Sequence, residues 1–275
     1  MGTPLTDAQI QAIAAEIFGL LRTGRQVPPI SSRHPGFTLA DAYRVSLAVR
    51  QMREQAGEKV IGRKIGFTNR TIWNEYQVFE PIWGYIYDRT VHTLAESGGA
   101  FELASLSEPR LEPEIMFKFA AAPAAGMSEL ELLNCMEWVA HGFEIVQSLF
   151  PAWKFTAADT VAAYGLHGAL LTGAPAIVRG NAESWRDRLA DFEIDLMRNG
   201  ELADHGKAQN VLDGPVKALQ HVIRLLSGQG IHPPIAAGEI VTTGTLTRAM
   251  PIARGEAWST CLSPSSLPAA TIRFR

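Results

Sequence analysis

The sequence predicts an α+β protein: helices come first, followed by a mixed, mainly antiparallel β core with further helices packed outside. Two observations carry this expectation. Residues 1–58 place apolar side chains at helical spacing behind capping signals, whereas from Val60 onward the chain breaks into short β-rich runs separated by Gly and Pro. Thr6 with Gln9 has the form of a capping box, and Ile10, Ile13, Ala14, Ile17, Leu20 and Leu21 follow until Gly24 stops the pattern. After the Pro-rich connector VPPISSRHPG, Thr38 and Asp41 open a second helix carrying Ala42, Val45, Val49 and Met52, with Gly57 as its terminator. The runs VIGRKIGF, FELASL, RLEPEIMFKFA, GFEIVQSLF, HGALLTG and GEIVTTGTL then read as strands. Ser128 and Glu131 open a helix through Leu132, Leu133 and Met136, and Asp213 before Pro215 opens another through Leu219, Val222, Ile223 and Leu226. Asn199-Gly200 inside DFEIDLMRNGELADHG is a hairpin signal. One catalytic domain is expected over 1–275, helical over 1–58 and β-rich over 59–275.

Composition narrows the class of function. The 275 residues are 47% hydrophobic and 19% charged with a net charge of -3, and Lys and Arg are scattered, so neither nucleic acid nor an anionic membrane is the expected partner. Cys135 and Cys261 stand far apart with no metal or disulfide spacing. The N-terminus carries Asp7 and Glu16 and has no signal-peptide pattern, and no apolar run approaches the roughly 18 residues of a membrane span. A cytoplasmic location is expected.

Chemistry is signalled by RLEPEIMF. Glu112 and Glu114 are two residues apart in a β-prone run and share a face of that strand. Two anions on one face repel, so a cation is expected between them. Glu144, flanked by Phe143 and Ile145 in a second strand-like run, would be costly to bury unless paired or bound to a metal. Three carboxylates without a nearby Cys point to Mg²⁺ or Mn²⁺ rather than Zn²⁺, and no Asp-rich calcium loop is present. An exposed edge strand is the competing explanation for Glu112 and Glu114, since Pro113 cannot donate to a ladder.

Gly62-Arg63-Lys64-Ile65-Gly66, the Glu112/Glu114 pair, EWVAHGFEIV around Glu144, Asp159-Thr160-Val161, NGELADHGKAQNVLDGP and AGEIVTTGTLTRAMPIARGE occur in an order that resembles the 2-keto-4-pentenoate hydratase and 4-oxalocrotonate decarboxylase family, within the fumarylacetoacetate hydrolase superfamily. The resemblance spans nearly the whole chain. It implies a fold of that superfamily and a homo-oligomeric enzyme of aromatic catabolism that binds Mg²⁺ or Mn²⁺ through Glu112, Glu114 and Glu144. Its substrate would be a small anionic 2-oxo or 2-hydroxydienoic acid. Lys64 matches the family's substrate-facing lysine, and Gly62 and Gly66 on either side would let substrate approach; a surface lysine is the alternative, because Arg63 and Lys64 point opposite ways. Asp159 is a candidate proton acceptor or an N-cap in FTAADT, and His167 a proton shuttle or a satisfied core histidine. His141 is a possible support for the ligand set. Arg63, Ile82, Leu166 and Thr243 are expected at the substrate end.

Two departures stand out. Where hydratases of the family carry an aspartate after the proline of Glu-Pro-x-x-Gly, Glu80-Pro81-Ile82-Trp83-Gly84 offers Ile82, and the family's Asp-Asn-Ala-Ser run is Ala163-Tyr164-Gly165-Leu166 here. A metal-dependent hydro-lyase is therefore expected first. A 2-oxo-acid decarboxylase or C–C hydrolase suits the drier pocket, and an inactive subunit paired with another catabolic enzyme is a third possibility.

Overall fold

The computed structural model describes residues 4–264 and 267–275. Helices α1 (Asp7–Gly19) and α3 (Leu39–Gln55) form where the capping boxes at Thr6 and Thr38 predict, with the short α2 (Ile30–Arg33) between them. The remaining helices are α4 (Trp73–Tyr76), α5 (Glu129–Asn134), α6 (Ala157–Ala162), α7 (Ala182–Ala190) and α8 (Pro215–Gln229).

Strands β1 (Val60–Gly66), β2 (Ile82–Tyr87), β3 (Val91–Thr93), β5 (Arg110–Phe119), β6 (Met136–Val146), β7 (His167–Thr172) and β11 (Ile240–Thr242) build the larger sheet in the order β2-β1-β11-β5-β6-β7-β3; β8 (Ala176–Ile177) pairs β6, and β12 (Met250–Pro251) pairs β5. The smaller sheet runs β10-β9-β13-β14-β4, from β4 (Ala100–Phe101), β9 (Glu193–Arg198), β10 (Glu201–Lys207), β13 (Ala257–Ser263) and β14 (Thr271–Phe274). Among the described residues the pairings β1·β11, β14·β4 and β3·β7 are parallel and the rest antiparallel, as the texture of the sequence predicts.

The two sheets pack through Leu111, Phe143, Ile145 and Leu171 on one side and Leu196, Trp258, Ile272 and Phe274 on the other. The main core, which joins α1, α3, α6 and α8 to strand residues such as Ile65, Ile115 and Phe117, is built from the apolar helix positions noted above. Because Leu111, Phe143 and Ile145 face the smaller sheet, alternation turns Glu112, Glu114 and Glu144 the other way.

Several local expectations are corrected. The run FELASL pairs only at its first residue, Phe101, the end of β4, and GEIVTTGTL only at Ile240–Thr242, after which the chain leaves the ladder. α5 stops at Asn134, so Met136 begins a strand instead of continuing a helix. α8 has Gly214 at its N-cap, while Asp213 faces Arg70 at 3.2 Å. β2, an apolar run without alternation, escaped the strand pattern because every one of its residues is buried.

Candidate metal centre

β5 and β6 pair so that Glu112 lies directly opposite Glu144, with Glu114 opposite Gly142. One carboxylate oxygen from each of the three glutamates lies within 4.8 Å of the others. β5 is a central strand, which excludes the edge-strand explanation; Pro113 falls where the partner on one side changes from β11 to β12, so its missing N–H interrupts little. Gly142, Glu114 and Glu144 are wholly buried, and Glu112 opens onto a cavity.

An ammonium lies beside the acids. Lys64 on β1 is buried, with Nζ 3.3 Å from Glu144 Oε2 and donating to Gly165 O at 3.0 Å. Its path is cleared by glycines: a Cβ on Gly165 would stand 2.9 Å from Lys64 Cδ, and one on Gly66 3.2 Å from Nζ. Gly62 serves a different end, since a Cβ there would meet Ile240 O of β11 at 2.1 Å. Tyr164, Gly165 and Leu166 all have positive φ, a strained turn that presents the Gly165 carbonyl to the ammonium.

Burial pushes Glu112 up to about 7 despite the nearby Lys64, and pushes Glu114 well above the usual carboxylate range, with Glu144 and Glu112 adding repulsion. Burial acts on Glu144 in the same sense, but Lys64 and His167 outweigh it and hold this carboxyl low. Lys64 is destabilised by burial and more than compensated by the three acids, so it stays an ammonium. Glu144 Oε1 accepts from His167 Nδ1 at 2.7 Å, while His167 Nε2 lies 2.9 Å from Thr90 Oγ1. Glu114 Oε2 accepts from the Gly244 amide at 2.9 Å, a contact that depends on the φ of +89° at Gly244.

Two buried oxygens are left over. Glu114 Oε1 has no hydrogen-bond partner, and neither has Glu144 Oε2, whose contact with Lys64 is one of charge without hydrogen-bond alignment. Unpartnered polar oxygens are costly to bury. Converging from three all-oxygen donors, they fit a hard divalent cation.

Of the other residues expected here, Leu166 lines the cavity beside Lys64. Ile82 is fully buried on the Lys64 face, its Cδ1 3.4 Å from where a Gly66 Cβ would stand. Arg63 is on the opposite face, paired with Glu239 at 2.6 Å and stacked 4.4 Å from the Tyr85 ring, so it does not reach the substrate end. Asp159 is the N3 residue of the capping box at Thr156, and both its oxygens are spent. Oδ1 accepts from Ser31 N (2.8 Å), and Oδ2 from Ser31 Oγ (2.6 Å), Thr156 N (2.8 Å) and Thr156 Oγ1 (2.9 Å). Thr243 turns to Ile115 O through both N and Oγ1, and Thr245 lines the cavity in its place. His141 braces the backbone, with Nδ1 donating to Glu114 O at 3.1 Å and Nε2 2.8 Å from Thr260 Oγ1; burial lowers it to about 4.

The cavity has both Lys64 and Glu112 in its lining. Phe67, Ile72, Tyr76, Val146 and Trp153 also line it. These aromatics went unnoticed in the sequence because they come from loops distant in the chain and follow no period.

No protein-family model matches the chain. It is 32% identical over 256 residues to a 2-hydroxyhexa-2,4-dienoate hydratase of Comamonas testosteroni, covering 92% of this chain and 93% of that protein. Identity is 29% over 259 residues to a 4-oxalocrotonate decarboxylase of Pseudomonas sp. (strain CF600), covering 93% and 94%. The fold superposes on 4-oxalocrotonate decarboxylase from Pseudomonas putida G7, complexed with magnesium and adipate, with a TM-score of 0.88 at 25% identity over 100% of both chains. A fumarylacetoacetate hydrolase family protein from Yersinia pestis CO92 shares the fold alone, with a TM-score of 0.52 at 14% identity over 78% of this chain and 93% of that one.

Proposed function

Because the chain belongs to the 2-keto-4-pentenoate hydratase and 4-oxalocrotonate decarboxylase family, we propose that it is a divalent-metal-dependent hydro-lyase acting on a 2-oxo or 2-hydroxydienoic acid of aromatic catabolism. The observation that carries this is the convergence of Glu112, Glu114 and Glu144 with two orphaned oxygens beside a buried ammonium. In this proposal the three glutamates hold Mg²⁺ or Mn²⁺, which when bound supplies electrophilic stabilisation of negative charge developing on the substrate's C2 oxygen.

Lys64 is the group that moves protons or holds the substrate's oxygen. Its Nζ sits at the cavity wall, is kept charged by the acids, and has Gly165 O and Glu144 as its protein contacts, which leaves a donor for a ligand. His167 orients Glu144, and the Gly244 amide orients Glu114. Leu166, Val146 and Phe67 exclude bulk water and so strengthen these charges. Residues 1–58 and 59–275 would act as one catalytic unit. On this reading it works in the cytoplasm, as a homo-oligomer alone or alongside a paired catabolic enzyme.

Decarboxylation is the alternative, favoured by one observation: Ile82 stands where the hydratases' acid is expected, and Asp159, the other candidate for handling water, is spent on Ser31 and Thr156. Nothing in the intact triad favours a silent partner subunit. Mixing the Mg²⁺-loaded protein with an enzymatically generated 2-hydroxydienoate separates the cases. Loss of dienol absorbance with water uptake is the expected result, CO₂ release from a dicarboxylic analogue identifies a decarboxylase, and the absence of both overturns the lyase proposal.

A further inference from the structure

The lining of the cavity says what kind of tail the substrate carries. Among the described residues Lys64 is the one cationic side chain that lines it, and it sits at the acid cluster, 3.3 Å from Glu144. Phe67, Ile72, Tyr76, Val146 and Trp153 give the rest of the lining a mainly apolar character, and among the described residues the other ionisable carboxyl in it is Glu112. Arg110 is close by but does not line the cavity. Its guanidinium donates to Tyr76 Oη at 2.6 Å, stacks 4.3 Å from the Trp153 ring and lies 3.9 Å from Glu75. A second carboxylate on the substrate's tail would meet no further cation among the described lining residues, and burying it there is costly.

Trp153 has the position and the rigidity to limit tail length. Ala152 and Trp153 have φ of +57° and +56°, a pair of left-handed non-glycine residues that local propensity disfavours. The turn is held by bonds to one residue: Ala152 N donates to Glu108 Oε1 and Trp153 Nε1 to Glu108 O, each at 3.0 Å. Tyr76 and Phe155 pack on the indole at centroid distances of 6.1 and 6.0 Å. Strain maintained by surrounding contacts in this way clusters at functional sites and motivates a role for Trp153.

We propose that this cavity selects dienoic acids bearing a short, uncharged, apolar tail, and that Trp153 is the residue that sets the length limit. The proposal rests on the lyase assignment for the identity of the acid head and deepens it. It also bears on the reaction: a decarboxylase that expels the far carboxylate of a 2-oxo diacid must first admit that charge, whereas a hydro-lyase of simple dienoates need not.

The test is calorimetric binding of unreactive 2-oxo acids to the full chain with Mg²⁺ present. 2-Oxohexanoate is expected to bind at least roughly 30-fold more tightly than 2-oxoadipate, which matches its length but adds the terminal carboxylate. Equal or reversed affinities overturn the charge selection. Wild type is expected to discriminate against 2-oxooctanoate, with Trp153→Ala raising its affinity about tenfold and Trp153→Phe, which keeps most of the packing on Tyr76, about threefold. Unchanged discrimination in the folded Phe variant removes Trp153 from the proposal. Tail preference in binding without turnover of any dienoate supports this inference while defeating the lyase assignment; turnover with indifferent binding does the reverse.

Discussion

Replacing Lys64 by Met keeps the length of the side chain and removes its charge from among three buried carboxylates. At 3.3 Å from Glu144 Oε2, the attraction amounts to about 5 kcal/mol at an effective dielectric of about 20. Breaking one side of a buried pair in this way costs about 3–5 kcal/mol, which for a chain of this size lowers the Tm of the metal-free protein by roughly 10 °C. The loss depends on pH, and its sign follows from the shifts. Glu144 is held below its ordinary range with the help of Lys64, so its stabilising contribution is present above the unfolded pKa and disappears as pH falls through the folded value. Glu112 and Glu114 are raised, and without the ammonium they rise further and take up protons on acidification. The deficit of Lys64→Met is therefore largest near pH 8 and shrinks toward pH 5, as thermal melts of wild type and variant across that range would register. Mg²⁺ at high pH supplies positive charge to the same oxygens and is expected to recover part of the lost Tm. Steady-state kinetics should show kcat/KM lowered by at least two orders of magnitude, about 2.7 kcal/mol. A metal-free Tm within 2 °C of wild type at pH 8, a margin of roughly 1 kcal/mol at most, refutes the electrostatic account. A loss of only a few-fold in kcat/KM refutes the chemical one.

Metal affinity measured by calorimetry is expected to fall at least tenfold in Glu112→Gln, Glu114→Gln and Glu144→Gln, and unchanged affinity in all three would dispose of the metal centre. Because Glu112 is raised to about 7, the stability of the metal-free protein that depends on its neutral form is full below the unfolded pKa and is lost as pH rises through that value; Mg²⁺ affinity and the Mg²⁺-induced Tm increase should accordingly grow from pH 6 to pH 8, and a flat profile counts against proton competition. Asp159→Asn should cost about 1.5–3 kcal/mol of stability through its hydrogen bonds to Ser31 and Thr156, with kcat/KM within about threefold of wild type; a stable variant with collapsed kcat/KM would return Asp159 to the chemistry. Ile82→Asp buries a carboxyl near Lys64, so hydration should quicken several-fold while stability falls by at least about 2 kcal/mol, and no gain in rate would mean that water is handled without an acid at this position.

What the sequence determined by itself was whatever depends on short-range pattern. Thr6 with Gln9, Thr38 with Asp41 and Ser128 with Glu131 each close a capping box, because a cap is satisfied by residues three apart. Asn199-Gly200 makes its hairpin because both residues tolerate positive φ, and Glu112 and Glu114 share a face because strand geometry alternates. The tertiary structure decided everything that depends on register and on which strand lies beside which. The pairing of β5 with β6 sets Glu144 opposite Glu112, and β1 brings Lys64 to 3.3 Å from Glu144. The same fold turns Arg63 to Glu239, binds Asp159 to Ser31 and substitutes Thr245 for Thr243 at the cavity. Trp153 and Tyr76 meet from short turns far apart in the chain with no local pattern in common. The physical reason is one of range. Capping and alternation are properties of a few consecutive peptide units, whereas a buried charge is tolerated only where distant strands and loops supply its partners, and those partners exist only once the chain has folded.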